Sequence, residues 1–420
     1  MNRPSAAIIA TSLLRYGLSL SAVAALLAGC GGSQSPLSLS PPELAQQQTH
    51  PNTPYNVLHT FERSPEDGTY PEADLIDVKG TLYGTTVTGG TNGGYGTVFS
   101  ITPSGQETVL HSFGATGDGI NPKGRLLYLK GTLYGTTSSG GKNDGGTVFS
   151  LTLGGTEKVL HSFDYDYSFP QKGGAYPNAG LTNVNGTLYG TTASGGSYGS
   201  GDELYGTVFS ITTSGKFKLL YRFGKQAYDG GFPQAPLLDV DGKLYGTTKS
   251  AGEYGSGTVF SITTAGQEHT VYSFGASAND GAEPMAGLIN VAGKLYGTTM
   301  LGGSGPGYDG DGTVFAVTTD GVETMLFSFN GSDGGQPVAD LKNVKGVLYG
   351  TTTIGGVHNL GTVFRITRSG KQSVLHSFAN GYGQQPRAGL TPISGVLYGT
   401  TFGITGEKSK EKGNVFSLMP

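Results

Sequence analysis

Leu82-Tyr83-Gly84-Thr85-Thr86 decides the fold, because the chain repeats it at 133–137, 188–192, 244–248, 295–299, 348–352 and 397–401. Successive copies start 51, 55, 56, 51, 53 and 49 residues apart. A period of that size marks a repeat architecture, in which each unit is one supersecondary motif stacked on its neighbours.

The unit around the fifth copy shows what surrounds the string. Residues 287–291 (GLINV) form a short apolar run, Ala292-Gly293 a two-residue link, and 294–299 (KLYGTT) a second run. After a Gly-rich loop come 312–318 (GTVFAVT), a turn at 319–321, and 323–329 (ETMLFSF). Short runs rich in Val, Thr, Tyr and Phe between Gly turns predict strands, and no helical period interrupts them. The first links, from Lys79-Gly80 to Ser394-Gly395, all carry Gly second, which suits a tight hairpin needing positive φ. The third-to-fourth links, such as Ser104-Gly105 and Asp320-Gly321, read alike.

Each unit is therefore a four-stranded antiparallel meander, and the chain is all-β, a seven-bladed β-propeller. The ends give an independent indication. Residues 56–61 (NVLHTF) match a fourth strand, whereas 414–419 (NVFSLM) match a third. Pairing the two completes the last blade and closes the ring without an open sheet edge. Pro392 falls in a first strand, which borders the channel and has one unpaired side. The Tyr of LYGTT and the Phe of GTVF are expected to pack between blades.

Composition excludes some functions. Charged residues are 13% of the 420, about half the usual share. The net charge of −4 offers no basic face to a nucleic acid. The 74 glycines recur at fixed places in each unit, which indicates turns rather than disorder.

Cys30 is the sole cysteine, so no intramolecular disulfide forms. It follows a basic start with Arg3 and Arg15 and a short apolar stretch at 16–29, the pattern of an export signal. Leu27-Ala28-Gly29-Cys30 resembles the lipobox of bacterial lipoproteins. That resemblance implies cleavage before Cys30, lipid on its sulfur and a membrane anchor. Gly31 in place of an acid implies the outer membrane, by similarity to the enterobacterial sorting pattern. Residues 1–29 are then a signal peptide, 30–54 a lipidated cysteine and a Pro-, Ser- and Gln-rich tether, and 55–420 the propeller.

LYGTT, a GG-containing loop, GTVF and VLHSF…DG…P together resemble the bacterial GloVer tandem repeat of the choice-of-anchor proteins. The resemblance covers residues 55–420; only the seventh GTVF departs, as Gly413-Asn414-Val415-Phe416. It implies an exported repeat protein held at the surface by an anchor. It carries over no catalytic residue, no cofactor and no metal.

Chemistry is expected on the face bearing the long second-to-third and fourth-to-first connections. Asp-Gly recurs there at Asp67, Asp118, Asp229, Asp280 and Asp333, and reads as a shared turn in preference to a ring of carboxylates. His59, His111, His161 and His376 share a fourth-strand slot with Tyr221, Tyr272 and Phe327. That slot reads as packing rather than metal ligation. The third unit stands out: 164–178 carries Tyr165, Tyr167 and Tyr176, and 193–205 carries Tyr198, Asp202 and Glu203. Aromatics beside carboxylates suit sugar rings, so these six are candidate ligand-binding residues. The expected function is a surface-anchored monomeric binding or scaffolding module for a glycan, peptide or envelope partner. The alternative is a polysaccharide lyase or glycoside hydrolase acting at the long-loop face. Adjacent Asp202 and Glu203 would point apart on a strand, against the carboxylate pair that a glycosidase needs.

Overall fold

The computed structural model describes residues 54–62, 66–164, 173–196, 204–305, 309–381, 383–403 and 412–420. Within them every regular element is a strand, and seven four-stranded antiparallel sheets form the blades of a seven-bladed β-propeller. The first blade runs outward from the axis as Ile76–Val78, Thr81–Thr86, Thr97–Ile101 and Glu107–Ser112. The seventh is Thr391–Ile393, Val396–Thr401 and Asn414–Leu418, completed by Tyr55–Thr60 from the other end of the chain. Tyr55 pairs with Leu418 and Thr60 with Asn414. The ring thus closes by the predicted pairing.

Local chemistry sets the hairpins. All seven first links have left-handed residues at both central positions, as at Lys79 (φ 56°) and Gly80 (φ 86°). This is the turn whose twist matches flanking strands. In five blades an Asp or Asn in the first strand accepts the turn glycine's N–H, as Asp239 Oδ1 does from Gly242 at 2.9 Å. The third-to-fourth links differ from the expectation of a matching turn. They are three-residue loops closed by bonds such as Gly105 N–H to Thr102 O at 2.9 Å, with the left-handed residue at the Gly alone. A Cβ on Gly105 would stand 2.5 Å from the Leu58 carbonyl of the preceding blade. The glycine there lets two blades touch.

Each letter of LYGTT has a separate task. Alternation along the strand puts Leu82 toward the seventh blade, beside Phe61 and Phe99, and Tyr83 toward the second, beside Leu133 and Phe149. Seven such clusters, one per interface, make up the core. Gly84 leaves room for the Phe99 ring: a Cβ there would lie 2.7 Å from its tip. In four blades the first Thr reaches the following blade, as Thr247 Oγ1 donates to Ala286 O at 2.9 Å, whereas the hydroxyls of Thr85, Thr298 and Thr400 are buried without a partner. The second is bonded within the blade, as Thr86 Oγ1 to Thr97 Oγ1 at 2.8 Å. In the seventh blade Asn414 stands where the others have that partner Thr, and its N–H donates to Thr401 Oγ1 at 3.1 Å.

A second, smaller ladder on the loop face is not legible in the sequence. Four blades pair the segment leading into the first strand with the residues after LYGTT, for example Gly68–Thr69 with Thr88–Gly89. Single bridges at Ala175 to Ser194 and Gly335 to Ile354 do the same in the third and sixth. Two-residue ladders are too short to leave a hydrophobic period.

Candidate functional site

The loop face gathers its side chains around the axis in a repeated way. In every blade the residue before the leading-segment proline has positive φ: Tyr70, Asn121, Tyr176, Phe232, Glu283, Gln336 and Gln385, between 51° and 60°. Non-glycine residues avoid this region at a cost of about 1 kcal/mol or more each. Two backbone bonds hold each one in place. Tyr176 N–H donates to Gly145 O and its carbonyl accepts from Ala193 N–H, both at 2.9 Å. The proline then turns the next residue toward the axis.

Those next residues are Glu72, Lys123, Asn178, Gln234, Met285, Val338 and Arg387. With Met300, Gln336 and Thr353 they line a bowl of about 370 Å³ at the channel mouth. Its chemistry is graded around the ring. The seventh, first and second blades supply charge, the third and fourth supply amides, and the fifth and sixth supply methionine and valine. Arg387 is committed: its Nη1 donates to Glu72 Oε1 at 2.7 Å and its guanidinium lies 3.9 Å from the Phe402 ring centre. Asn178 Nδ2 donates to Gln234 Oε1 at 2.8 Å. Lys123 makes no ion pair among the described residues.

Beneath the bowl the channel narrows to a throat lined by Asp74, Arg125 and Asp340. Arg125 crosses from the second blade to Asp340 of the sixth at 3.2 Å. Lys342 of the sixth meets Asp74 of the first at 2.8 Å. Burial pushes the Asp74 carboxyl up, but Lys342 and then Arg125 outweigh it and hold the group below its ordinary value. Below lies a bore of about 670 Å³ walled by first strands. Glycines in the third, fifth and seventh blades make room for these long side chains. A Cβ on Gly287 would lie 2.7 Å from Asp340 Oδ1, and one on Gly180 2.6 Å from Arg125 Cγ.

The Asp-Gly carboxylates lie elsewhere, at the outer rim where each fourth strand meets the next blade. There each Asp accepts the N–H of its own Gly or of the loop, as Asp280 does from Gly281 at 2.7 Å. Four of them, Asp67, Asp118, Asp229 and Asp280, also face the aromatic slot of the fourth strand. Tyr221 donates to Asp229 at 2.7 Å and Tyr272 to Asp280 at 2.9 Å. His111 lies 3.1 Å from Asp118, and His59 lies 3.5 Å from Asp67. A glutamate from the next blade completes each of these four groups, Glu107, Glu157, Glu268 or Glu323, and at Asp333 the equivalent residue is Gln372, whose Nε2 donates to the Asp333 carbonyl at 3.3 Å. Burial above all pushes all four glutamates up to about 7. In two junctions an aromatic ring takes the glutamate position. His161 stacks on Phe217 with centroids 4.0 Å apart, and His376 on Tyr55 at 4.1 Å.

Of the residues put forward from sequence, Tyr165, Tyr167, Tyr198, Asp202, Glu203 and Cys30 lie outside the described residues. Tyr176 is half-buried and belongs to the strained ring around the mouth. Sequence reasoning missed the bowl. Its signal was the residue after each leading-segment proline, where seven otherwise similar units carry seven different amino acids.

Comparison with known proteins agrees on the repeat. The profile of the Gloeobacter/Verrucomicrobia repeat matches residues 47–202, 165–307 and 277–420. No curated protein is significantly similar in sequence. Among solved structures, a luciferin-regenerating enzyme aligns at 13% identity and TM-score 0.43, over 88% of this chain and 96% of its own. A putative gluconolactonase aligns at 12% and 0.40, over 88% and 92%. The subtype N11 neuraminidase-like protein of A/flat-faced bat/Peru/033/2010 (H18N11) aligns at 10% and 0.41, over 86% and 90%. Likeness at this level carries no inference about activity.

Proposed function

We propose a function for this chain, which belongs to the Gloeobacter/Verrucomicrobia repeat family, on the premise that its blades are a common frame and its channel mouth is the variable part. The protein is a binding module of the bacterial cell envelope, held to the membrane by lipid on Cys30. Its ligand is a polar oligosaccharide or peptide that settles in the bowl. One observation carries this reading: seven blades with nearly the same skeleton present seven different side chains to one 370 Å³ cavity. A symmetric frame with an asymmetric mouth suits a ligand that has no symmetry of its own. Lys123 is placed for an anionic group, the Asn178–Gln234 amides for hydroxyls or peptide groups, and Met285, Met300 and Val338 for an apolar face. Ligand sites commonly combine a few directed polar groups with apolar walls in this way.

A hydrolase or lyase is less well supported. Among the described residues Glu72 is the single carboxylate lining the bowl, and Arg387 already holds it. A glycosidase needs two acids about 5–10 Å apart.

Glycan and peptide arrays probed with the full chain test the proposal. Saturable retention that falls in Lys123→Ala and Asn178→Ala supports the bowl. Retention lost only in Tyr165→Ala or Tyr167→Ala moves the site to the third-blade loops. Release of products in place of retention supports the enzyme, and no retention of any probe removes the binding proposal.

A further inference from the structure

The rim junction between the seventh and first blades differs from its siblings in a way that packing alone does not explain. Where the fourth-strand slot holds tyrosine, the hydroxyl donates to the aspartate, so the slot residue itself has its partner, although Asp229 Oδ1 and Glu268 Oε1 are buried without one. Where it holds His59, the ring Nε2 stands 3.5 Å from Asp67 Oδ2, too far for a good hydrogen bond. His59 Nε2 and Glu107 Oε1 are both sealed from solvent with no hydrogen-bond partner. Buried polar atoms without partners are rare and need an explanation.

We propose that this junction binds a divalent transition-metal cation through His59 Nε2, Asp67 and Glu107, with Zn²⁺ the best match. One ligand atom from each lies within 4.8 Å of the other two. Tetrahedral Zn²⁺ with bonds of about 2.0–2.2 Å sets its ligands about 3.3–3.6 Å apart. The His59–Asp67 separation of 3.5 Å already meets that edge, and Glu107 has only to swing inward. Imidazole nitrogen and carboxylate oxygen are both ligands that zinc accepts, and water would fill the fourth position. Asp67 and Glu107 also border an open groove, which gives a hydrated ion a way in. The first–second junction repeats the trio as His111, Asp118 and Glu157. There the imidazole already bonds Asp118 at 3.1 Å, so a cation must displace that bond and binds more weakly.

The position gives the cation a structural task. His59 lies on the N-terminal strand that completes the seventh blade, and Glu107 lies on the fourth strand of the first. A cation held by both ties the closing strand to its neighbour, and binding to the folded state alone raises stability by mass action. This inference is independent of any ligand in the bowl.

The test titrates chelator-stripped full chain with ZnCl₂ by calorimetry and follows thermal unfolding with and without the metal. A Cys30→Ser background removes the thiol. His59→Tyr and Glu107→Gln introduce residues that sibling junctions already carry at Tyr221 and Gln372, so the fold is preserved. Wild type is expected to bind Zn²⁺ and to melt higher in its presence. His59→Tyr loses one equivalent of bound metal, and Glu107→Gln weakens that site by about tenfold or more. The proposal is overturned by a wild type that binds no Zn²⁺, or by an unchanged metal count and unchanged affinity in both variants.

Discussion

The blade interfaces and the channel mouth obey opposite rules, although the same seven units build both. At an interface each position meets a copy of the same surface, so one solution serves everywhere. Leu, Tyr, Gly and two Thr recur intact seven times, and six of the seven partner positions for the second Thr are also Thr. At the axis each position faces different blades across open space. There the residues after proline are Glu, Lys, Asn, Gln, Met, Val and Arg. Repetition is retained where geometry demands self-complementarity, and it lapses where the surface faces something other than itself.

The contrast breaks most severely at Tyr245. It is 4% exposed and packs against Phe274, Leu288 and Phe315. Tyr245→Ala is expected to cost about 3 kcal/mol, read as a lower midpoint in chemical denaturation. A midpoint equal to wild type would remove the inter-blade role of the motif.

Gly246→Ala is next. Alanine suits a strand better than glycine does, yet the new Cβ would lie 2.6 Å from the Phe260 ring. Overpacking of this kind costs about 1–3 kcal/mol. If the variant is more stable than wild type by the same denaturation assay, intrinsic propensity outweighs the close approach.

The rim gives a smaller, pH-dependent effect. Glu268 and Glu323 are raised to about 7 by burial, and Asp229 and Asp280 add repulsion. A carboxyl with a raised folded pKa favours the folded state when protonated. Its contribution is complete below the ordinary value near 4.5 and disappears as pH rises through 7. Wild type should therefore melt a few degrees higher at pH 5, where both carboxyls are protonated, than at pH 8, where both are charged. In Glu268→Gln with Glu323→Gln the rise on acidification should shrink, with the melting temperature at pH 8 equal to or above wild type. An unchanged pH profile would show that water relieves both groups.

The smallest stability effect belongs to the mouth. Lys123→Ala removes a side chain with no ion pair among the described residues, and surface changes of this type stay within about 0.5 kcal/mol. Its melting temperature should match wild type while ligand retention falls. A large drop in stability would instead place Lys123 in the frame.

Most of the frame is readable residue by residue. Lys79-Gly80 and its equivalents announce their turns because left-handed φ is a local demand that Gly meets. The shortfall at third-to-fourth links such as Ser104-Gly105 is not local. Gly is required there by the Leu58 carbonyl of another blade, which no two-residue string reveals. The third-blade residues Tyr165, Tyr167, Tyr198, Asp202 and Glu203 stood out by composition. The bowl did not, since Lys123 and Val338 look unremarkable within their own units. His59 likewise looked like an aromatic slot until Asp67 and Glu107 were placed beside it.

The sequence by itself determined the number of blades, the strand order and the closure of the ring, because period, turn residues and strand type act over fewer than about 60 residues. Only the tertiary structure decided that Arg125 meets Asp340, 215 residues away, or that His59 meets Glu107 across two blades. Those encounters depend on how seven units wrap around one axis. Wrapping sets distances between residues that no local rule connects.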